Sequence, residues 1–269
     1  TNGGGLNTYA EWKNQYHHIR SVADDEEGLA PGKVEVIWED MDGTIWIGVY
    51  AGGLFRYNPA EGSIRGYRHD PDDPHSLSNE IINAVYRDSS GILWIGTNEG
   101  LNRYRPETDD FERITSDGSD YTPPEDVIYT LNEDSSGRLW VGTNSSGAAA
   151  RDPETGRFRV YPHDPAIPDS LSDNLVRVVF QDSRGTIWIG TNQGLNRLKA
   201  DGSGFIHYRH DVNDKDTLSN DNIRQIIEAS DGTLWIATSG GGVNIYHPRN
   251  DLFSFISRRD GLLSNHVMG

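Results

Sequence analysis

The sequence lacks several features that define common protein classes. It has no cysteine among 269 residues, which excludes disulfide bonds, thiolate chemistry and cysteine zinc sites. It has no apolar run close to the roughly 18 residues that a membrane-spanning helix needs. Positive charge is scarce, since 24 Lys and Arg stand against 41 Asp and Glu, a formal net charge of −17. This charge disfavours binding to nucleic acids and to anionic membrane surfaces.

Helical periodicity is also missing, and a short repeat takes its place. A Trp-Ile-Gly-like phrase recurs at intervals of 46 to 48 residues. The five phrases begin at Trp46, Trp94, Trp140, Trp188 and Trp235. Each one follows a short apolar run and an Asp-x-x-Gly turn, and each precedes a polar turn, a second apolar run and an aromatic strand. Four short β-type runs in each repeat are typical of a β-propeller blade.

The sequence therefore predicts an all-β protein, a single β-propeller domain over residues 1–269 with about six repeats. The five complete repeat cores are expected near 34–57, 81–104, 127–151, 175–198 and 222–246. A sixth blade is expected to be split between residues 1–19 and 263–269, and it lacks the equivalents of residues 84–96. We interpret the chain as a piece of a longer repeat array. Either its ends close a six-bladed ring, or it is an arc of a larger ring, such as one of seven blades.

The repeated residues are interpreted as structural. Trp94, Trp140 and Trp188 are predicted to be buried between neighbouring blades, where their rings fill the space. In the Asp-x-x-Gly turn, Asp can cap the turn through its side chain and Gly permits a positive φ. The fifth repeat has Ala229 at the Asp position.

One position at the start of the innermost strand changes its polar type from repeat to repeat, whereas its neighbours stay apolar. The residues at this position are Glu35, Asn83, Tyr129, Arg177 and Arg224. Innermost strands of a propeller line the central channel, so these residues are predicted to bind a ligand at the channel mouth. Arg suits carboxylates and sulfates, and Tyr can stack on a sugar face. The alternative is a solvated channel without a ligand.

The turn after each Trp strand supplies weaker candidates at the rim of this site, namely Asn98, Asn144 and Asn192. These side chains could instead satisfy backbone groups of the turn. The third repeat departs from the others, because Gly147-Ala148-Ala149-Ala150-Arg151 replaces the Gly-Leu-Asn-Arg-Tyr phrase. That departure indicates either a special site or sequence drift.

Metal and catalytic sites have little support. The pairs His69-Asp70, His163-Asp164 and His210-Asp211 belong to different blades, so they are too far apart to share an ion and are interpreted as turns. We expect no metal and no cofactor. No Ser/His/Asp set forms a recognisable triad, and we expect no enzyme activity in this chain. A pair of carboxylates acting in a glycosidase or lyase stays open.

Three phrases of the second repeat stand out: Leu77-Ser78-Asn79, residues 88–97 and Gly100-Leu101-Asn102-Arg103-Tyr104. In these phrases the sequence resembles the two-component regulator propeller repeats. Such repeats occur in extracytoplasmic sensor regions of hybrid histidine kinases and of some diguanylate cyclases. The resemblance implies a periplasmic or extracellular bacterial sensor, often for carbohydrate fragments, with any kinase or cyclase domain elsewhere in the parent chain.

The leading hypothesis is thus a sensor propeller that binds a small molecule or oligosaccharide at the channel mouth. We expect no nucleic-acid partner and no membrane insertion by this part of the chain. Self-association, or contact with adjacent domains of the parent chain, is a further expectation. Two alternatives remain open: a propeller lyase acting on a polysaccharide or streptogramin-type substrate, and a non-catalytic interaction scaffold.

Overall fold

The computed structural model describes residues 6–10, 15–19, 29–30, 32–115 and 126–267. The chain forms two compact units, Thr1–Ser116 and Asp117–Gly269. Strands pair antiparallel with their neighbours in sequence throughout, so each four-stranded sheet is a simple up-and-down blade. Among the described residues the one helical element is a 3-10 turn at Arg258–Asp260.

The first unit contains a two-stranded sheet and two blades. The two-stranded sheet pairs β1 (Leu6–Ala10) with β2 (Gln15–Ile19). Blade 1 consists of β3 (Val34–Glu39), β4 (Ile45–Val49), β5 (Gly53–Asn58) and β6 (Ser63–Tyr67). Blade 2 consists of β7 (Ile82–Arg87), β8 (Leu93–Thr97), β9 (Gly100–Arg105) and β10 (Asp110–Ile114).

The second unit contains three blades. Blade 3 consists of β11 (Ile128–Glu133), β12 (Leu139–Thr143), β13 (Ala148–Arg151) and β14 (Phe158–Tyr161). Blade 4 consists of β15 (Val176–Gln181), β16 (Ile187–Thr191), β17 (Gly194–Leu198) and β18 (Phe205–Tyr208). Blade 5 consists of β19 (Ile223–Glu228), β20 (Leu234–Thr238), β21 (Gly242–His247) and β22 (Leu252–Ile256). The all-β propeller fold expected from the repeat is confirmed.

The repeated Trp residues lie in the core, as predicted. Trp94, Trp140 and Trp188 are each 1% exposed. Trp140 packs in one apolar cluster with Val176 and Phe205 of blade 4, and Trp188 packs in the same way against residues of blade 5. The rings of Trp140 and Trp188 therefore fill the space between adjacent blades of the second unit. Trp235 of blade 5 is only half-buried.

The Asp of each Asp-x-x-Gly turn has a second role besides shaping the turn. Its carboxylate accepts a hydrogen bond from the indole N–H of the Trp six residues later. In blade 3 the distance from Trp140 Nε1 to Asp134 Oδ2 is 2.9 Å, and in blade 4 the distance from Trp188 Nε1 to Asp182 Oδ2 is 3.0 Å. This bond satisfies the polar edge of a ring that is otherwise surrounded by apolar groups.

The split blade stays a prediction, because residues 1–5 and 268–269 lie outside the described residues and the two ends belong to different units. At the carboxyl end, His266 forms an isolated bridge with Ser239. The backbone N–H of Val267 donates to Thr238 O at 3.1 Å. This segment therefore continues along the end of β20 in blade 5.

Candidate functional site

The five candidate residues occupy one structural position. In every blade the register between the first and second strands shifts at the same place, so one residue is left over as a β-bulge. The shifts occur between Val34 and Val36, Ile82 and Ala84, Ile128 and Thr130, Val176 and Val178, and Ile223 and Gln225. The residue inside each bulge is Glu35, Asn83, Tyr129, Arg177 or Arg224 in turn. A bulge re-aims a side chain out of the ladder, which explains why this position tolerates such different chemistry.

These bulges lie on strands that neighbour each other. Within the first unit β3 contacts β7, and within the second unit β15 contacts both β11 and β19. Each of these strands is the edge of its own sheet. The first strands of adjacent blades thus run side by side, as the innermost strands of a propeller do. The shared register is therefore confirmed, and the ligand-binding role stays a prediction.

In the first unit each of the two bulge residues is paired with a neighbouring side chain. Glu35 forms an ion pair with Lys33 at 3.0 Å, and both side chains are partly exposed. The Asn83 amide donates to Asn98 Oδ1 at 2.9 Å. The structure thus joins a candidate from the strand to a candidate from the rim, and it leaves no unbalanced charge on this pair.

In the second unit the bulge residues contact each other across blades. The Arg177 guanidinium carbon lies 4.2 Å from the centre of the Tyr129 ring, a cation–π contact. The Tyr129 hydroxyl donates to Asn144 Oδ1 at 3.1 Å. One face of Tyr129 is therefore covered by Arg177, so stacking on a ligand is restricted to the other face.

Arg224 completes this cluster and makes it strongly cationic. Burial lowers the pKa of Arg224, and the nearby positive charge of Arg177 lowers it further, whereas Tyr129 raises it. The Nε atoms of Arg177 and Arg224 are both buried without a hydrogen-bond partner among the described residues. No described carboxylate forms an ion pair with either arginine. Two guanidinium groups therefore lie close together with their charge uncompensated by the protein.

Asn192 adds an unpaired acceptor to the same place. In blades 2 and 3 the bulge residue donates to the rim asparagine 15 residues later, as Tyr129 does to Asn144. Blade 4 has the same spacing between Arg177 and Asn192, but Arg177 lies over Tyr129 instead. The Asn192 Oδ1 atom is consequently buried without a partner among the described residues. Sequence reasoning treated rim and strand positions as separate groups, although their constant spacing was the signal that links them.

The His-Asp loops have the structural role expected of them. In each loop the His Nδ1 atom lies within hydrogen-bonding distance of a leucine carbonyl eight residues later: 2.8 Å for His69 and Leu77, 2.5 Å for His163 and Leu171, and 2.6 Å for His210 and Leu218. The ring therefore closes its own loop. Within the parts of the chain that the structure describes, no three His, Asp or Glu side chains come together as a metal site.

Comparison with known proteins identifies the repeats. The family model described as two component regulator propeller matches residues 76–99, 122–145, 170–193 and 217–240. Each of these four segments includes a first strand, the Trp strand and the start of the turn that follows it. No curated protein sequence matches the chain.

Two similar solved structures are extracellular domains of bacterial signalling proteins. The extracellular domain of a hybrid two component system from B. thetaiotaomicron is 23% identical with a TM-score of 0.75, over 98% of this chain and 33% of that chain. The extracellular domain of a one component system from the same organism is 25% identical with a TM-score of 0.51, over 98% of this chain and 40% of that one. The chain thus spans between a third and two fifths of the length of these proteins.

Enzymes also share the fold. An ancestral GH74 enzyme is 14% identical with a TM-score of 0.64, over 89% of this chain and 33% of that chain. At this identity the likeness concerns the fold alone, so it does not transfer the activity. No helix within the described residues has both the length and the apolar character required to cross a membrane.

Proposed function

We propose that this chain, which carries two-component regulator propeller repeats, is a sensor propeller that binds an acidic carbohydrate fragment in the periplasm or outside the cell. The site is formed by Tyr129, Arg177 and Arg224. The signalling output, a kinase or cyclase, lies elsewhere in the parent protein. Both the repeat family and the likeness to extracellular domains of signalling proteins support this assignment.

The observation that carries the proposal is the uncompensated charge of the two arginines. Both arginines are half-buried, and a cation that loses part of its hydration without gaining a counter-charge is destabilised; Arg177 also lowers the pKa of Arg224. A structural role would be served better by a carboxylate partner, as other arginines of this chain have. An acidic ligand would supply that missing charge, and the planar guanidinium groups are suited to bind its carboxylate or sulfate in a bidentate manner.

The polar groups around the arginines favour a sugar as the body of the ligand. The unpaired Asn192 Oδ1 is an acceptor for a ligand hydroxyl. The free face of the Tyr129 ring can pack against the C–H groups of a pyranose. An acid, a hydroxyl and an apolar face on one small molecule are the properties of a uronate-containing or sulfated saccharide.

The same geometry favours binding over hydrolysis or elimination. A glycosidase or lyase needs a carboxylate or another base within reach of the bond that breaks. In the part of the second unit that the structure describes, no carboxylate is hydrogen-bonded to Arg177 or Arg224. Together with the likeness to extracellular domains of signalling proteins, this supports a non-catalytic role for this chain, which the product analysis tests.

The proposal is tested with an array of neutral and acidic glycans, followed by calorimetry on the best binder. Replacing Arg177→Ala and Arg224→Ala together should weaken binding at least about tenfold, equivalent to 1.4 kcal/mol, with an unchanged melting temperature. A matched control is Arg68→Ala with Arg209→Ala, because both side chains are exposed and the change in charge is the same. The variant with Lys at positions 177 and 224 keeps the charge but loses the bidentate geometry, so it should recover only part of the affinity.

Affinity within twofold of the unaltered chain in the Arg177→Ala, Arg224→Ala variant would refute the site. Failure of every acidic glycan to bind would refute the proposed ligand class. Release of an unsaturated or hydrolysed product would show that the chain is an enzyme instead.

A further inference from the structure

Adjacent blades of the first unit are joined by a partly buried polar network on their outer strands. Asp109 of blade 2 accepts hydrogen bonds from the hydroxyls of Tyr67 at 2.6 Å and Tyr104 at 2.5 Å, and from Arg56 at 3.1 Å. Arg65 adds an ion pair to the other oxygen at 2.9 Å. Burial opposes ionisation of Asp109, but the tyrosine hydroxyls and the arginines outweigh it and lower its pKa.

The same network recurs between blades 4 and 5. Asp251 accepts from the hydroxyls of Tyr208 at 2.8 Å and Tyr246 at 2.6 Å. Arg197 lies 3.6 Å from the same carboxylate and donates to the Tyr246 hydroxyl. Two tyrosines, one carboxylate and one arginine therefore close the gap between these outer strands.

Between blades 3 and 4 three members of this network are replaced together. Strand register identifies the positions, since Ala150 pairs with Trp140 as Arg56 pairs with Trp46. Leu198, paired with Phe205, stands where Tyr104 and Tyr246 stand in the other networks. Ser203, two residues before Phe205, stands where the carboxylates of Asp109 and Asp251 stand. The arginine, the inner tyrosine and the aspartate are thus all absent from this junction.

The remaining two members of the network are retained, but neither of them has a carboxylate as its hydrogen-bond partner. Tyr161 corresponds to Tyr67, and its hydroxyl has no hydrogen-bond partner among the described residues. Arg159 corresponds to Arg65 and lies 4.8 Å over the Tyr161 ring. No described carboxylate is hydrogen-bonded to Arg159, which donates instead to the Gly202 carbonyl at 3.1 Å.

An open groove of about 1190 Å³ occupies this junction. Besides Tyr161 and Arg159, its walls include the apolar side chains of Phe158 and Leu198, the cationic side chains of Arg138 and Lys199, and the carboxylates of Asp134 and Asp152. Lys199 is ion-paired with Asp169, and the two wall carboxylates accept hydrogen bonds within their own turns. The nearby carboxylate of Asp201 accepts a hydrogen bond from the Ser203 N–H at 3.0 Å, which holds it in its own turn. The groove thus places apolar side chains beside Arg138 and Arg159, neither of which forms an ion pair with a described carboxylate, in a chain of net charge −17.

We propose that this groove, between blades 3 and 4, is a second binding site, for a small molecule that carries a carboxylate on a six-membered ring. The carboxylate takes the place that Asp109 and Asp251 have in the other networks and accepts from the Tyr161 hydroxyl and from Arg159. The ring takes the place of the missing tyrosine ring beside Leu198. Both an aromatic acid and a hexuronate have this chemistry.

The groove is separate from the arginine site of the proposed function. Its lining includes the turn of residues 134–138 after β11, whereas Tyr129 lies at the start of that strand. The two sites are therefore at opposite ends of β11, and either one can exist without the other.

The test is calorimetry on the full chain carrying Arg177→Ala and Arg224→Ala, so that the arginine site cannot contribute. The probes are 4-hydroxybenzoate and glucuronate, with 4-hydroxybenzyl alcohol and glucose as their neutral counterparts. At least one acid should bind at millimolar concentration while both neutral compounds do not. Binding of 4-hydroxybenzoate would identify the ligand as an aromatic acid, and binding of glucuronate would identify it as a sugar acid.

Adding Arg159→Gln and Tyr161→Phe should weaken this binding about tenfold or more. The matched control, Arg65→Gln with Tyr67→Phe, removes the same groups from the closed junction of blades 1 and 2, and it should leave binding unchanged. Refilling the groove with Ala150→Arg, Leu198→Tyr and Ser203→Asp, which restores all three missing members of the network, should weaken binding as well. Absence of binding by both acids, or binding that survives the Arg159→Gln, Tyr161→Phe change, would overturn the proposal.

Discussion

The carboxylate of the Asp-x-x-Gly turn should contribute measurably to stability, and Asp134→Ala tests this in blade 3. Asp134 accepts hydrogen bonds from the backbone N–H groups of Ser136 and Arg138, from the Ser136 hydroxyl and from the Trp140 indole. Trp140 is almost fully buried, so its N–H would lose its partner without gaining water. An unsatisfied buried donor costs about 1–3 kcal/mol.

The three turn donors lie near the surface and can be rehydrated, so their loss adds only about 1 kcal/mol. We therefore expect Asp134→Ala to lower the free energy of unfolding by about 3 kcal/mol at pH 7. Blade 5 provides the natural comparison. Its turn keeps the same backbone hydrogen bonds with Ala229 at this position, which shows that the effect belongs to the side chain rather than to the backbone turn.

The pH dependence gives an independent check. Burial raises the pKa of Asp134, but its hydrogen bonds from Ser136, Trp140 and the backbone outweigh burial and lower the pKa below its ordinary value. A group with a lowered folded-state pKa stabilises the fold above its unfolded-state pKa, about 3.9, and this contribution is lost as the pH falls through the folded-state pKa. The difference between the two proteins should therefore shrink below about pH 4.

The assay is urea unfolding followed by tryptophan fluorescence and circular dichroism, at pH 7 and at a series of acidic pH values. Ala229→Asp in blade 5 is the reciprocal variant. Since Trp235 is half-buried and accessible to water, this change should add no more than about 1 kcal/mol. A loss below about 1 kcal/mol for Asp134→Ala at pH 7 would refute the reasoning from the buried indole.

Two further predictions concern the packing between blades, and the same urea assay checks both. Trp140→Ala should lower the free energy of unfolding by about 3–5 kcal/mol, whereas Trp235→Ala should cost less than half as much; equal losses would contradict the burial argument. Gly142→Ala should cost about 1–3 kcal/mol, because a Cβ atom there would lie 2.5 Å from Thr130 Cγ2 of the same blade and 2.6 Å from Val176 Cγ1 of the next blade. Blade 5 has Ala237 at the equivalent position, and Ala237→Gly should change stability by about 1 kcal/mol or less. No loss for Gly142→Ala would contradict the tight packing at this position.

The fold could be predicted from the sequence because the repeat is regular. Each Trp strand lies between turns with Asp and Gly at constant spacing, so the strands assigned in one repeat can be assigned in all the others. The burial of Trp94, Trp140 and Trp188 followed from the same pattern. The bond from Asp134 to Trp140 was not predicted, although a constant separation of six residues was visible in four of the repeats.

The candidate site was predictable only in part. The register of Tyr129, Arg177 and Arg224 follows from aligning the repeats, whereas the bulge that turns these side chains out of the ladder does not. The contact of Arg177 with Tyr129 depends on rotamers and on the spacing between blades. This contact also explains why Asn192 is left without the partner that Asn144 has, so the missing bond could not be inferred from a single repeat.

The groove between blades 3 and 4 illustrates a different limit. The Ala150 departure was visible in the sequence, but taken alone it could not be distinguished from drift. Leu198 and Ser203 are equally ordinary residues at a blade surface. The three residues can be recognised as a lost network only by comparison with the networks around Asp109 and Asp251. Those networks join residues about 40 to 50 positions apart, so the contact between outer strands must be known first.

The bulge at the start of each first strand has a consequence for how such a molecule acquires new specificity. Because the bulged residue is excluded from the ladder, its identity is largely decoupled from folding, while its direction stays fixed by the strand. Each blade therefore offers one position where the side chain can be exchanged without disturbing the ladder. If the proposed function holds, a combinatorial library restricted to positions 129, 177 and 224 would change the ligand specificity and leave the scaffold intact.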